Sequence, residues 1–293
     1  MRALLTTPPA PAEIVEIDRP QPADGEALVR VLAATVNPAD REVTLGIYHD
    51  EGVISSPTVG LGWDLVGEIV SAGGRADLAV GQRVAALSDT FDKPIGAIAE
   101  YVAVPASALA AVPESLSDED AATIPLGALT AAQALDLLGD ARGSLLVTGA
   151  AGAVGGFALS IARGLGFAVT GLARASDRDF VEQAGARFAL DTADSYDAVL
   201  GAGALGTDAI SAVRDGGRYV GFLPGSEPAS ERGVSVEAVI VGGDGARLGE
   251  LLAEAATGAH QTRVTAVIPL DDASAAVTAA VGSGQRGRVV IAL

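Results

Sequence analysis

The sequence predicts an α/β chain in two parts, a β-rich N-terminal domain followed by a parallel sheet covered by helices. Three observations predict it. Short apolar runs bounded by Pro, Gly, Asn and Asp fill the first third. Strand-like and helix-like segments alternate from Ser144 onward. A glycine-rich turn joins the first of those strands to the first of those helices. Alternation of this kind is the pattern of a parallel sheet, because each crossover needs a helix.

In the first third, strands are predicted at residues 27–36, 65–70, 83–87 and 97–104, runs short and close enough for a barrel or sandwich. The texture changes near Pro113. Ser117 followed by Asp118, Glu119 and Asp120 offers a helix N-cap with acids at the positive end of the dipole. Apolar positions continue at helical spacing to Leu138, interrupted by Pro125 and Gly127, with Gly139 as the stop.

Beyond Ser144, strands are predicted at 145–148, 168–173, 187–190, 198–200 and 218–222. Helices fall at 154–165, 177–184 and 208–213. Residues 234–241 extend the sheet, 246–256 form a helix, and strands at 264–268 and 288–293 flank a helix opening at Asp271 and Asp272. Periodicity alone does not assign these last strands to either domain.

Composition bounds the function. The 293 residues suggest about two domains at ~150 residues each. With 49% hydrophobic and 19% charged residues the chain can bury a sizeable core. The formal net charge of -18 repels phosphate backbones and anionic lipid, which argues against nucleic acid or membrane-surface partners. There is no cysteine, so neither disulfides nor thiolate metal sites are expected. No signal-like segment follows Met1 and no window nears ~18 apolar residues, so the expectation is a soluble cytoplasmic protein.

The sharpest local signal is LLVTGAAGAVGGFALSIARGLG, residues 145–166. A dinucleotide pyrophosphate is held by unpaired N–H groups at a helix N-terminus, and the backbone must come close without side chains. Ala150, Gly152, Ala153, Val154 and Gly155 are the predicted contacts. Gly152 permits the approach and Gly155 lets helix pack on strand. The strict six-residue fingerprint begins at Ala150, so its first glycine is missing.

The following strand indicates the cofactor. An NAD site usually ends it with an acid that bonds the ribose 2′-hydroxyl. Ala173 stands there instead, followed by Arg174, Ser176 and Arg178, which suit a 2′-phosphate and predict NADPH. The plainer alternative is that both arginines are solvated loop residues.

Five segments in order now carry a resemblance: VNPADREVTLGIY from Val36, GWDLVGEIVSAG from Gly62, GAIAEYVAVPASALAAVP from Gly96, AATIPLGALTAAQAL from Ala121, and the nucleotide turn. Together with the closing GRVVIAL they make the chain resemble the zinc-free quinone oxidoreductase (zeta-crystallin-like) branch of the medium-chain dehydrogenase/reductase superfamily. The resemblance implies a GroES-like β-rich domain over residues 1–114, completed by 259–293. It also implies a Rossmann doubly wound domain over 115–258, commonly dimerised through that domain.

The zinc-dependent relatives place a cysteine and Gly-His-Glu at the metal. This chain has Gly62-Trp63-Asp64 and no cysteine, and His49 and His260 lack ligand spacing, so no metal is expected. The chemistry implied is hydride transfer from NADPH to a quinone or α,β-unsaturated carbonyl. By the same resemblance Asn37 and Tyr48 line the substrate end, stabilising charge on the acceptor oxygen. Tyr48 is also a proton source, a part that water can fill. Asp40 orients the loop and Thr130 lies near the nicotinamide. The structural alternatives are that Asn37-Pro38 simply starts a turn and that Tyr48 packs.

Two departures stand out. Glu42 occupies the place where some members carry a second tyrosine, and the stretch 223–258 is shorter than usual. The competing functions are a pathway-specific enoyl or ketone reductase and a catalytically idle NADPH-binding sensor.

Overall fold

The computed structural model describes residues 1–139, 142–192, 195–201, 206–222, 225, 227–280 and 286–293. The chain divides into two compact units. The first comprises Met1–Leu126, Gly242–Ala256 and Thr262–Leu293; the second comprises Gly127–Val241 and Thr257–Gln261.

The spine of the first unit is the eleven-residue strand Glu26–Val36. Its first half pairs antiparallel with Tyr101–Pro105 and its second half with Arg288–Ala292, while Asp64–Ser71 runs along the other edge. Arg83–Leu87 and Ala110–Ala111 extend that edge, and Val264–Pro269 adds in parallel to Arg288–Ala292. Apolar side chains from these strands, among them Val29, Val31, Leu65, Ile69, Val84, Val102, Val104 and Ile291, make one buried cluster. A second, three-stranded sheet joins Glu13–Glu16, Arg2–Thr6 and Val59–Gly60.

Two local features differ from the sequence-based expectation. Residues 97–100 precede the strand rather than opening it. Ile98 and Ala97 donate to the carbonyls of Leu61 and Gly62 instead, and a Cβ at Gly62 would sit 2.6 Å from the Ile98 nitrogen. The β-rich third also contains a helix, Pro38–Leu45, followed after Gly46 by Ile47–Asp50. Asn37 and Pro38 open it as N-cap and first helical residue, and Gly46 breaks it at φ +81°.

The second unit is a six-stranded sheet, parallel throughout. Its order is Arg187–Ala189, Ala168–Leu172, Ser144–Thr148, Tyr196–Gly201, Val213–Gly221 and Ser235–Ala238. Numbered within the unit, that is 3-2-1-4-5-6, the doubly wound order whose direction reverses beside Ser144–Thr148. The fold is therefore a Rossmann-type sheet accompanied by a β-rich domain. The predicted helix at 208–213 is a 3₁₀ segment, Gly206–Ala212.

The unit boundaries fall elsewhere than at 114 and 258. The helix Gly245–Ala256 belongs with the first unit. A Cβ at Gly245 would lie 2.3 Å from the Leu109 carbonyl oxygen, so helix and β-rich backbone meet without a side chain between them. Residues 115–126 belong there too; the Leu126 N–H donates to Asp64 at 2.6 Å. Of the shortened stretch, residues 223, 224 and 226 lie outside the described residues. Among the described residues no helix is long and apolar enough to cross a membrane.

Candidate active site

In the second unit, Ser144–Thr148 delivers the chain to Gly149, whose φ of +60° turns it sharply into the helix Ala153–Gly164. The turn is tight. A Cβ at Gly155 would stand 2.3 Å from the Gly149 carbonyl oxygen, and one at Gly152 would stand 3.0 Å from it. The turn itself therefore requires glycine at 155, whereas at 152 a methyl group is only a tight fit.

Gly152, Ala153 and Val154 are half-exposed at the helix start, and its first turn carries no acidic residue. First-turn N–H groups have no partner within a helix, so Ala153, Val154 and Gly155 offer an anion site. Ala150 differs from this group. It is fully buried and its N–H donates to the Leu172 carbonyl at 3.1 Å, so its amide joins two strands instead of facing a ligand.

After Ala168–Leu172 the chain forms the short 3₁₀ turn Ala175–Asp177. Arg174, Ser176 and Arg178 are all exposed there. Arg174 pairs with the buried Asp177 at 3.4 Å. Arg178 pairs with Glu182 at 3.1 Å and lies 4.2 Å over the Phe188 ring. Each guanidinium is anchored on one side and open on another, which is more order than a purely solvated loop residue has. Thr130 is buried on the helix Pro125–Asp136.

In the first unit, the helix start at Asn37 gathers a buried polar cluster. Asn37, Asp40 and Asp64 are each 0% exposed. Asp40 accepts from the backbone N–H of Asn37 at 2.8 Å and of Gly62 at 2.7 Å. It thus ties the loop at Asn37 to the loop before Asp64. Burial, outweighing these two hydrogen bonds, pushes its carboxyl up to about 6.

Asp64 accepts from the Thr35 hydroxyl at 2.5 Å, from Asn37 Nδ2 at 2.9 Å and from Leu126 N–H at 2.6 Å. Asn37 Nδ2 also donates to Thr35 Oγ1 at 3.2 Å. Both amide hydrogens of Asn37 are thereby engaged, and Oδ1 has no hydrogen bond. The Asp40 N–H next to it goes to the Asn37 backbone carbonyl at 3.0 Å.

Tyr48 is half-buried, with its ring 4.5 Å from Phe91. Its hydroxyl donates to Glu42 Oε2 at 2.6 Å. Burial and this bond to a carboxylate both hold the phenol well above its ordinary range, so it stays protonated.

Sequence reasoning missed two cations beside this cluster. Lys93 is buried, hydrogen-bonded to the Ser88 carbonyl at 2.9 Å, and makes no ion pair among the described residues. Burial lowers its ammonium to about 8, against the opposing pull of Asp40, Asp89 and Asp64. Arg288 is also buried, its pKa lowered by that burial. The ladder that sets Val289 opposite Val36 brings it beside Asn37. A lone Lys in a Pro- and Gly-flanked loop gives no such signal; only its being the chain's single lysine could have drawn notice.

The comparisons with known proteins agree with this architecture. The alcohol dehydrogenase GroES-like domain family matches residues 23–114. A chloroplastic quinone-oxidoreductase homolog of Spinacia oleracea is 33% identical over 185 residues, covering 60% of this chain and 55% of that protein. A chloroplastic NADPH-dependent alkenal/one oxidoreductase of Arabidopsis thaliana is 30% identical over 229 residues, covering 73% and 59%.

The chain belongs to the medium-chain dehydrogenase/reductase superfamily, in its quinone oxidoreductase branch. Its fold matches that of the quinone oxidoreductase from Coxiella burnetii with a TM-score of 0.89, at 22% identity over 100% of this chain and 99% of that one. The chain spans little more than half the length of the two plant relatives. Asn37, Asp40, Tyr48 and Asp64 thus lie within the GroES-like domain. The turn at Gly149–Gly155 opens the helix that follows the strand Ser144–Thr148 of the doubly wound sheet.

Proposed function

We propose that the chain is an NADPH-dependent, zinc-independent oxidoreductase that reduces a quinone or an α,β-unsaturated carbonyl. The observation that carries this reading is the half-exposed helix start at Gly152–Val154 followed by Arg174 in the place beyond the acid-free strand end at Ala173. A helix start whose first-turn N–H groups at Ala153, Val154 and Gly155 precede the intrahelical ladder, with no acid in that turn, suits a pyrophosphate, and a guanidinium suits a 2′-phosphate. The bound nicotinamide would supply the hydride.

The chain's own part is to bind and orient. Gly155 holds the helix against the turn, Arg174 is braced by Asp177, and Asp40 with Asp64 fixes the loop that carries Asn37. Zinc independence is supported by the donor set. The chain has no cysteine, and among the described residues no group of three or more His, Asp or Glu is placed to hold a metal. The plant relatives' names, a quinone-oxidoreductase homolog and an alkenal/one oxidoreductase, support the acceptor class. A homodimer along the edge strand Ser235–Ala238 belongs to the same reading.

The test is NADPH oxidation by the purified protein against a panel of quinones and enones, with NADH in parallel. Faster turnover with NADPH, and a rise of ~10-fold or more in its KM in Arg174→Ala with NADH unaffected, are expected for loss of a charge-assisted contact. Binding of neither nucleotide overturns the reading. Tight NADPH binding without turnover on any acceptor replaces it with a sensor.

A further inference from the structure

Glu42 stands six residues before Tyr48, on the helix Pro38–Leu45, and takes the phenol hydrogen at 2.6 Å. An ionised carboxylate can only accept, so the direction of this bond is fixed: Tyr48 donates inward to Glu42. What the phenol oxygen then offers to any other group is a lone pair. Asn37 repeats the pattern. Its two amide hydrogens go to Asp64 and Thr35, and the atom without a hydrogen bond is the acceptor Oδ1. Asp64 also fixes that direction, because turning the amide over would set Oδ1 against a carboxylate oxygen.

The two side chains that a carbonyl acceptor would look to for donors have therefore spent their hydrogens inside the first unit. We propose that Glu42 is a specificity-determining residue: by taking the Tyr48 hydrogen it turns the phenol into an acceptor and selects substrates that bear a hydroxyl near the conjugated carbonyl. The inference rests on the reductase reading above and names its substrate class more narrowly. A hydroxylated enone supplies the donor that the Tyr48 oxygen lacks. The unsubstituted enone leaves two acceptors facing each other, an arrangement that costs about as much as an unmade hydrogen bond.

The test compares cyclohex-2-enone with 6-hydroxycyclohex-2-enone, whose hydroxyl is on the carbon next to the carbonyl, on the 293-residue chain and on its Glu42→Leu variant, which frees the Tyr48 hydrogen. The readouts are kcat/KM with NADPH and the Kd of each enone from quenching of the single tryptophan, Trp63. Trp63 meets the same Phe91 ring as Tyr48, at 4.5 Å. The parent protein is expected to favour the hydroxylated enone by roughly 10-fold or more. Glu42→Leu is expected to shift that ratio toward the plain enone by roughly 10- to 100-fold, the equivalent of one buried hydrogen bond.

Glu42→Gln, which still accepts through its amide oxygen, is expected to keep the parent preference. Tyr48→Phe is expected to abolish the preference and to make Glu42→Leu silent. A ratio that is unchanged in Glu42→Leu, with the variant folded, overturns the proposal. Absence of NADPH turnover in the parent sinks the reductase reading, whereas the two Kd values still decide the role of Glu42.

Discussion

Lys93, the chain's one lysine, holds its ammonium 4.2 Å from the ring centroid of Trp63, its one tryptophan. The indole face and the Ser88 carbonyl replace the water that a buried ammonium has lost. This pairing makes a buried titration readable by fluorescence.

Trp63 emission is expected to change with a midpoint near pH 8, where Lys93 loses its proton, and to stay flat in Lys93→Met. Stability should follow the same group. Between about 8 and the ordinary 10.5 the unfolded chain holds a proton that the folded chain has released, so stability rises with pH across that window. Urea midpoints at intervals from pH 7.5 to 10.5, for parent and Lys93→Met, measure the slope. A midpoint above 10 would show that Lys93 is solvated.

Asp40 gives a slope of the opposite sign. Its folded value of about 6 lies above the ordinary 3.8, so between these the folded state holds a proton that the unfolded chain has lost. Stability should fall as pH rises from about 4 to 6. Asp40→Asn is expected to lack this slope. It should also be less stable at pH 4 by about 1–3 kcal/mol, because one amide oxygen must serve two N–H donors, those of Asn37 and Gly62.

Glu42 should govern the acidity of Tyr48. With the carboxylate removed in Glu42→Leu, burial and the weaker pull of Glu51 and Asp40 still raise the phenol, but its pKa should move down toward the ordinary 10. Tyrosinate absorbance of Tyr48→Phe subtracted from that of its Glu42→Leu or parent counterpart isolates the signal. An unmoved titration would mean that the 2.6 Å bond is absent in solution.

At the nucleotide turn, Gly155→Ala should cost more than Gly152→Ala. The added methyl meets the Gly149 carbonyl oxygen at 2.3 Å in the first case and 3.0 Å in the second. A cost of about 1–3 kcal/mol is expected for Gly155→Ala, with NADPH binding weakened in parallel. Thermal unfolding with and without NADPH checks the order, and equal effects would place the constraint in the ligand contact alone.

The sequence by itself determined the alternation of strands and helices from Ser144, the turn between Gly149 and Gly155, and the missing acid at Ala173. These are local features: hydrophobic period, glycine spacing and the residue at a strand end are written within a few positions of each other. The helix at Pro38–Leu45 stayed hidden because its polar, Pro-led sequence reads equally well as a turn. Only the tertiary structure decided that Gly245–Ala256 returns to the first unit. Tertiary structure also set Arg288 beside Asn37 through the strand register, and drew Asp40, Asp64 and Lys93 from separate segments into one buried cluster. It decided above all which way the hydrogens of Asn37 and Tyr48 point. Both residues were legible as site candidates, but a side chain's donor direction depends on the acceptor that folding places next to it, and Asp64 lies 27 residues from Asn37.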